Sequence, residues 1–363
     1  MNTKLVYVLT CAPEAYYIEQ ALMAVFSARH HNPDANIVLI VDDKTDALLV
    51  DKRAEILKYV SEKIVIPFED TSKSPMYRSR WIKTSVRQLV QGDYLFIDCD
   101  TITQYSLSDI DNYNCEIGAV PESHLLVKDY CNSLYNSAKK SNETIGVDLD
   151  AEQIYFSSGV LYVKDTVNTH QLYNLWHQYW LDSEQNGIGK DQPSLAKANH
   201  DVGHIISRIP DNYNCIIFTQ PPFYREAYIL HITAYKNPSY LFTNKVLKYV
   251  KENGLNNEWI KDSILNPCLT LMPFDYCIKN SFFETLLLLF KGRRYFLGYS
   301  KYIDKDFDFL PHDIRIRKSV INLLSFNLYY IGISLWAIWK YFKLRHQNIK
   351  YNICSRHYEK PTK

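Results

Sequence analysis

The chain has 363 residues, 47% of them hydrophobic, enough to bury a sizeable core and too apolar for a disordered protein. Its 41 Lys and Arg nearly cancel its 40 Asp and Glu, which excludes a global field of the kind that wraps nucleic acid and leaves any polyanion to be met locally. The 8 cysteines form no C-x-x-C pair and no secretory leader precedes the first apolar run, which predicts reduced thiols in a cytoplasmic protein.

Along the first half, short apolar or β-branched runs alternate with longer helical patterns, the signature of βαβ units around a mostly parallel, Rossmann-like mixed sheet. LVYVLT (5–10) opens as a strand, and Ile18, Leu22, Val25 and Phe26 then recur on one helix face until Asn32-Pro33 closes it. NIVLIVDD (36–43) and KIVIPF (63–68) read as strands, with a helix expected over 45–61 between them. Residues 77–91 read as a helix ending at Gly92, after which YLFIDCD (94–100) is an apolar strand running into two carboxylates. EIGAVPE (116–122), IYFSSGVLYV (154–163), a helix around 168–182 and AYILHI (227–232) continue the α/β pattern. Asp42 and Asp43 read as a polar edge closing the second strand.

The last hundred residues differ in character and are expected to form a helical C-terminal appendage, which divides the chain into a domain over 1–245 and a region over 246–363. SVINLLSFNLYYIGISLWAIW (319–339) carries no charge and is long enough to span a bilayer core, yet it is rich in interfacial Tyr and Trp. Arg315, Arg317 and Lys318 flank it on one side, and Lys340, Lys343, Arg345 and His346 on the other. Three readings stay open: a buried helix, a true span, or peripheral contact of 315–346 with an anionic membrane, which would put the protein on the inner face of the plasma membrane.

Carboxylates at the C-terminal end of a buried strand lie where open α/β sheets bind their ligands. Asp98 and Asp100, one residue apart where the strand breaks into a loop, can both turn toward one hard divalent cation, Mn²⁺ or Mg²⁺, or can merely cap a turn. On the preceding helix, Arg80, Lys83 and Arg87 at i, i+3 and i+7 share a face, suited to phosphate or to solvent. Asp191 and Gln192 begin a helix whose dipole attracts hydroxyls or phosphate oxygens, and Asp191 is equally suited to be its N-cap, with Pro193 following.

Several of these segments, in this order, resemble GT-A glycosyltransferases, especially family 8 and its bacterial relatives. YLFIDCDTI is similar to the donor-site strand, FSSGVLYV (156–163) to the F-N-S-G-V strand, and KDQPSLAKA (190–198) to the D-Q-x-x-L-N helix start. IPDNYNC (209–215) is similar to L-P-x-x-Y-N, and HITAYKNP (231–238) to H-x-G-x-x-K-P-W. The resemblance covers roughly residues 3–245, and it is the ordered set that makes it specific. The family's Asn is Ser157 here, and its Pro-Trp is replaced by Asn237-Pro238.

The resemblance implies a GT-A (nucleotide-diphospho-sugar transferase) fold. It also implies a metal-dependent hexosyltransferase that moves a sugar from a nucleotide diphosphate, a UDP-sugar first among the candidates, to a hydroxyl of a glycan or lipid-linked acceptor, with retention. By it His231 joins Asp98 and Asp100 on the metal, although a lone His after an apolar strand is also a common structural residue. Lys236 contacts the donor diphosphate, aided by Arg80 or Lys83. Thr10 and Tyr17 meet the nucleobase, with Glu14 the acidic residue between them. Ser157, Ser158 and Gly159 approach the donor sugar or acceptor. Asp191 and Gln192 lie beside the transferred sugar, and Asp191 is the first candidate for a general base if the reaction inverts. A nucleotidyltransferase of the same fold, or a nucleotide-sugar-binding scaffold without turnover, are the alternatives.

Overall fold

The computed structural model describes residues 1–267 apart from 71, 131, 150–153, 218–222 and 233–239. The elements in chain order are β1 (Lys4–Leu9), α1 (Tyr17–His31), β2 (Ile37–Asp42), α2 (Asp43–Asp46), β3 (Glu62–Ile66), α3 (Pro75–Thr84), α4 (Val86–Leu89), β4 (Tyr94–Ile97) and β5 (Thr101–Thr103). β6 (Ile117–Pro121), α5 (Asn132–Glu143), β7 (Phe156–Val163), α6 (Val167–Gln185), α7 (Gln192–Asp201), β8 (Ile206–Arg208), β9 (Cys215–Ile216), β10 (Ile229–His231), α8 (Asn244–Asn253) and α9 (Glu258–Leu265) follow.

The fold is mixed α/β, as expected. A 7-stranded sheet runs β3-β2-β1-β4-β7-β6-β8, and β7 is antiparallel to both β4 and β6 while the other pairings are parallel. A 3-stranded sheet, β5-β10-β9, stands against it. Because side chains alternate along a strand, β1 sends Leu5, Tyr7 and Leu9 into one core and Val6 and Val8 into another. The first core is closed by α1, α8 and α9, through Ile18, Leu22 and Val25, Leu247 and Val250, and Trp259 and Ile260. The second is closed by α3, α4, α6 and α7, through Ile82, Val86, Trp176 and Leu195. A helical layer therefore covers each face, which is why the central strands read as unbroken apolar runs.

Three expectations change. Residues 45–61 are not one helix: the short α2 is followed by a 3-10 segment, Arg53–Lys58, after Asp51 takes a left-handed conformation (φ 50°) that no continuous helix admits. The helix over 77–91 breaks at Ser85, where the Ser85 hydroxyl donates to the Trp81 carbonyl at 2.8 Å and the Thr84 hydroxyl to that of Arg80 at 2.9 Å. Such back-bonding competes with the helical ladder. The expected boundary at 245 falls inside α8, whose Val246, Leu247 and Val250 belong to the same core as β1 and α1. Among the described residues no helix is long and apolar enough to cross a membrane, and the 315–346 segment lies outside them.

Candidate active site

The change of sheet between β4 and β5 builds the site. β4 ends at Ile97, the Asp98 N–H donates to the Gly159 carbonyl on β7 (2.9 Å), and the Thr101 hydroxyl closes the turn on the Asp98 carbonyl (2.8 Å). The chain then enters β5, which pairs antiparallel with β10 so that Thr101 faces His231, and the Ile232 N–H donates to the Asp100 carbonyl at 2.9 Å. This brings a histidine 131 positions downstream onto the two aspartates: one ligand atom from each of Asp98, Asp100 and His231 lies within 4.8 Å of the others. His231 Nε2 is 3.2 Å from Asp100 Oδ1.

Gly159 makes this approach possible. A Cβ there would stand 2.4 Å from His231 Cε1 and 3.1 Å from Asp98 Oδ2, so no side chain fits while the histidine keeps its place. The electrostatics match the crowding. Burial lifts the Asp98 carboxyl above its ordinary value, Lys83 only partly counters it, and Asp100 adds to the rise. Burial works most strongly against the charged form of His231, but the Asp100 and Asp98 carboxylates together outweigh it and the imidazole is held above its usual range. Two carboxylates and an imidazole crowded in this way have the donor set and the charge deficit that a Mn²⁺ or Mg²⁺ ion satisfies.

The basic residues of α3 and α4 separate into two kinds. Arg78 is buried and pairs with Asp42, whose other oxygen caps α2 by accepting from the Thr45 N–H, so Asp42 is a structural anchor and not only a loop edge. Arg87, fully buried, pairs with Asp165 at 3.2 Å and lies 4.8 Å over the Tyr94 ring. Lys83 and Arg80 reach the site instead. Lys83, 3% exposed, lies 3.1 Å from Asp98 Oδ1 and 3.3 Å from Asp191 Oδ2, and donates to the Ser158 hydroxyl at 3.3 Å. Arg80, its side chain 32% exposed, pairs with Asp191 Oδ1 at 3.0 Å.

Asp191 occupies the N-cap position of α7, yet its side chain makes no cap hydrogen bond. It accepts from the Ser158 hydroxyl at 2.8 Å, and while burial alone would raise its carboxyl, Lys83 and Arg80 override burial and hold it well below the carboxylate range. The neighbouring Gln192 amide donates to Glu122 Oε2 (3.0 Å) and to the Phe156 carbonyl (2.9 Å). Ser157 accepts from the Asn214 amide at 3.2 Å. At the nucleobase end, the Thr10 hydroxyl donates to the Pro75 carbonyl at 2.6 Å, which ties β1 to the start of α3, and Tyr17 is 50% exposed at the start of α1. Lys236, with Asn237 and Pro238, lies outside the described residues.

Two residues of the site are new to the reading. Glu122, at the end of β6, carries a carboxyl lifted by burial, with the Gln192 amide partly offsetting it. Asn214, fully buried at the end of the 3-10 turn Asp211–Asn214 just before β9, holds His231 Nδ1 at 2.9 Å. Asn214 is the closing Asn of the segment that resembles L-P-x-x-Y-N, but the motif alone does not say which side chain it meets.

No protein family and no curated protein matches the chain by sequence. Among solved structures it is similar to the galactosyltransferase LgtC in complex with donor and acceptor sugar analogues, at 14% identity and a TM-score of 0.46 over 73% of this chain and 96% of that one. It is also similar to mouse xyloside xylosyltransferase 1 in its apo form, at 15% identity and a TM-score of 0.41 over 64% and 97%. A third is the glycosyltransferase GlyE of Streptococcus pneumoniae TIGR4, at 18% identity and a TM-score of 0.42 over 73% and 63%. The likeness in each case is one of overall fold, and fold by itself does not carry an activity.

Proposed function

We propose that the chain is a glycosyltransferase that moves a sugar from a nucleotide diphosphate, a UDP-hexose first among the candidates, to a hydroxyl of a glycan or lipid-linked acceptor. The observation that carries the reading is the convergence of Asp98, Asp100 and His231 at the end of a central strand, their ligand atoms within 4.8 Å. The ordered sequence resemblance to GT-A glycosyltransferases of family 8 supports it. A divalent ion held there would neutralise charge developing on the leaving diphosphate. Arg80, the more open of the two cations, has the reach for a phosphate oxygen, whereas Lys83 is buried between Asp98 and Asp191 and holds them together. Tyr17 offers an exposed ring to the base, and Lys236 completes the diphosphate contacts.

By the resemblance, Asp191 and Gln192 would lie beside the transferred sugar. A carboxylate held ionised by two cations is a poor proton acceptor, which favours retention, with the acceptor's proton passing to the leaving phosphate, over inversion with Asp191 as base. Ser158 donates to Asp191, and Gln192 is oriented by Glu122. Both fix the wall of the sugar site.

The test is incubation of the full chain with Mn²⁺ and a panel of UDP-sugars, reading UDP release. Asp98→Asn and Asp100→Asn are expected to lower release by at least about 100-fold, since even outer residues of metal sites are worth about 10–100-fold. Release that persists in both variants would sink the metal site. UDP binding without release would favour a scaffold, and pyrophosphate release from a nucleoside triphosphate would favour a nucleotidyltransferase. For the acceptor, the basic-flanked 315–346 segment supports peripheral contact with an anionic surface. Cosedimentation with phosphatidylserine vesicles checks this, and equal binding by a chain ending before residue 315 would defeat it.

A further inference from the structure

A metal-bound histidine must present a bare nitrogen to the ion, so its other nitrogen must carry the proton, and something must hold that proton in place. In this protein the partner is the side chain of Asn214, which is fully buried. His231 Nδ1 lies 2.9 Å from Asn214 Oδ1, and the Asn214 Nδ2 group lies 3.2 Å from Ser157 Oγ. Ser157 Oγ also accepts from the Gly159 N–H at 3.4 Å.

These bonds share one direction. Ser157 Oγ receives both the Gly159 N–H and the Asn214 amide N–H. The Asn214 amide is thereby turned with its oxygen toward His231, and an oxygen can only accept, so the imidazole proton is placed on Nδ1. The opposite amide orientation would place N–H against Nδ1 and leave the proton on Nε2, facing the two aspartates. Gly159 and Ser157 are neighbours on β7, so the strand that makes room for the imidazole also sets its orientation.

Resting on the metal site proposed above, we infer that Asn214, oriented by Ser157, is a positioning residue that fixes the Nδ1–H form of His231 and turns its Nε2 lone pair toward Asp98 and Asp100.

The experiment is Mn²⁺ titration of the full chain, with and without UDP, followed by the free-ion EPR signal, in wild type, Asn214→Leu, Asn214→Asp, Ser157→Ala and Asp98→Asn. Asn214→Leu is expected to raise the Mn²⁺ Kd about 10–100-fold, as for other outer residues of metal sites, while Asn214→Asp, which keeps an acceptor for Nδ1–H, stays near wild type or tightens. In ¹⁵N-histidine spectra of the Mg²⁺-loaded protein, wild type and Asn214→Asp should show the Nδ1–H tautomer, and Asn214→Leu should lose it. A wild-type Kd and tautomer in Asn214→Leu overturn the inference. If Asn214→Leu does not fold, Ser157→Ala decides: a raised Kd with a mixed tautomer supports the role, and wild-type behaviour overturns it. Asp98→Asn separates the two readings, since loss of Mn²⁺ binding there with none in Asn214→Leu leaves the metal site standing and removes only the Asn214 role. Absence of Mn²⁺ uptake by wild type removes both.

Discussion

Gly159 is the residue whose chemistry is most constrained by its neighbours. A methyl group added there meets His231 Cε1 at 2.4 Å and Nδ1 at 2.8 Å, and the imidazole is buried and tied to Asn214. Gly159→Ala is therefore expected to displace His231, to weaken Mn²⁺ binding at least about 10-fold and to lower stability by about 1–3 kcal/mol, the ordinary cost of overpacking. Calorimetric Mn²⁺ titration beside a urea melt checks both, and a variant with wild-type affinity would show that His231 is not a ligand. Asp191 makes a different demand. Lys83 and Arg80 hold its carboxyl below the value of about 3.9 that it has in the unfolded chain, so its ionised form stabilises the folded protein above that pH. As pH falls through and below about 4, the unfolded chain takes up the proton first and the contribution is lost. Asp191→Asn should thus be less stable than wild type at pH 7, with the gap narrowing toward pH 3 in urea melts at the two values. A gap independent of pH would mean that the carboxylate's charge contributes nothing.

The helix pair α3–α4 shows how far an element can be read from its sequence. That Arg80, Lys83 and Arg87 share a face follows from their spacing, and so does the presence of a helix before the strand that ends at Asp98. The acids that meet these residues are not visible in the same way. Asp42 is 36 positions from Arg78 and Asp165 is 78 from Arg87, and no local pattern links such pairs. Four similar basic residues thus divide into two structural anchors and two site residues on the basis of contacts that only the folded chain makes. The same limit hid Asn214 and Glu122, which are defined by β6, β7 and β10 coming together, whereas β1, β2, β4 and β7 were legible because strands buried on both faces are written as continuous apolar runs. The division predicts opposite phenotypes. Arg78→Met leaves Asp42 buried and unpaired and should destabilise by about 3–5 kcal/mol. Arg80→Ala, a third exposed and with Lys83 still beside Asp191, should cost at most about 1 kcal/mol and appear as a raised KM for the donor. Denaturant melts and donor kinetics on both variants check this, and a donor KM changed by Arg78→Met in a protein that remains folded would count against it.

At the scale of the whole molecule, the site depends on a core that the change in sequence character near residue 245 conceals. Composition shifts there, but composition does not determine where packing stops. Val246, Leu247 and Val250 on α8, then Leu255, then Trp259, Ile260 and Ile264 on α9, are all buried in the cluster that also holds Leu22 and Val25 of α1 and Leu5 and Leu9 of β1. β1 pairs with β4 through Leu5 and Leu95, both in that same cluster, so the packing of α8 and α9 supports the strand that leads to the carboxylates. Burying a large apolar side chain contributes roughly 1.5–3 kcal/mol. Seven of them, lost together, match or exceed the 5–15 kcal/mol by which a domain is ordinarily stable. A chain ending at residue 245 is therefore expected to show no cooperative thermal transition and no Mn²⁺ binding, while a chain ending at 267, which keeps both helices, melts cooperatively and binds the ion. Calorimetry on the two truncations decides it, because a protein ending at 245 that melts at the same temperature as the one ending at 267 would show that α8 and α9 are an appendage after all.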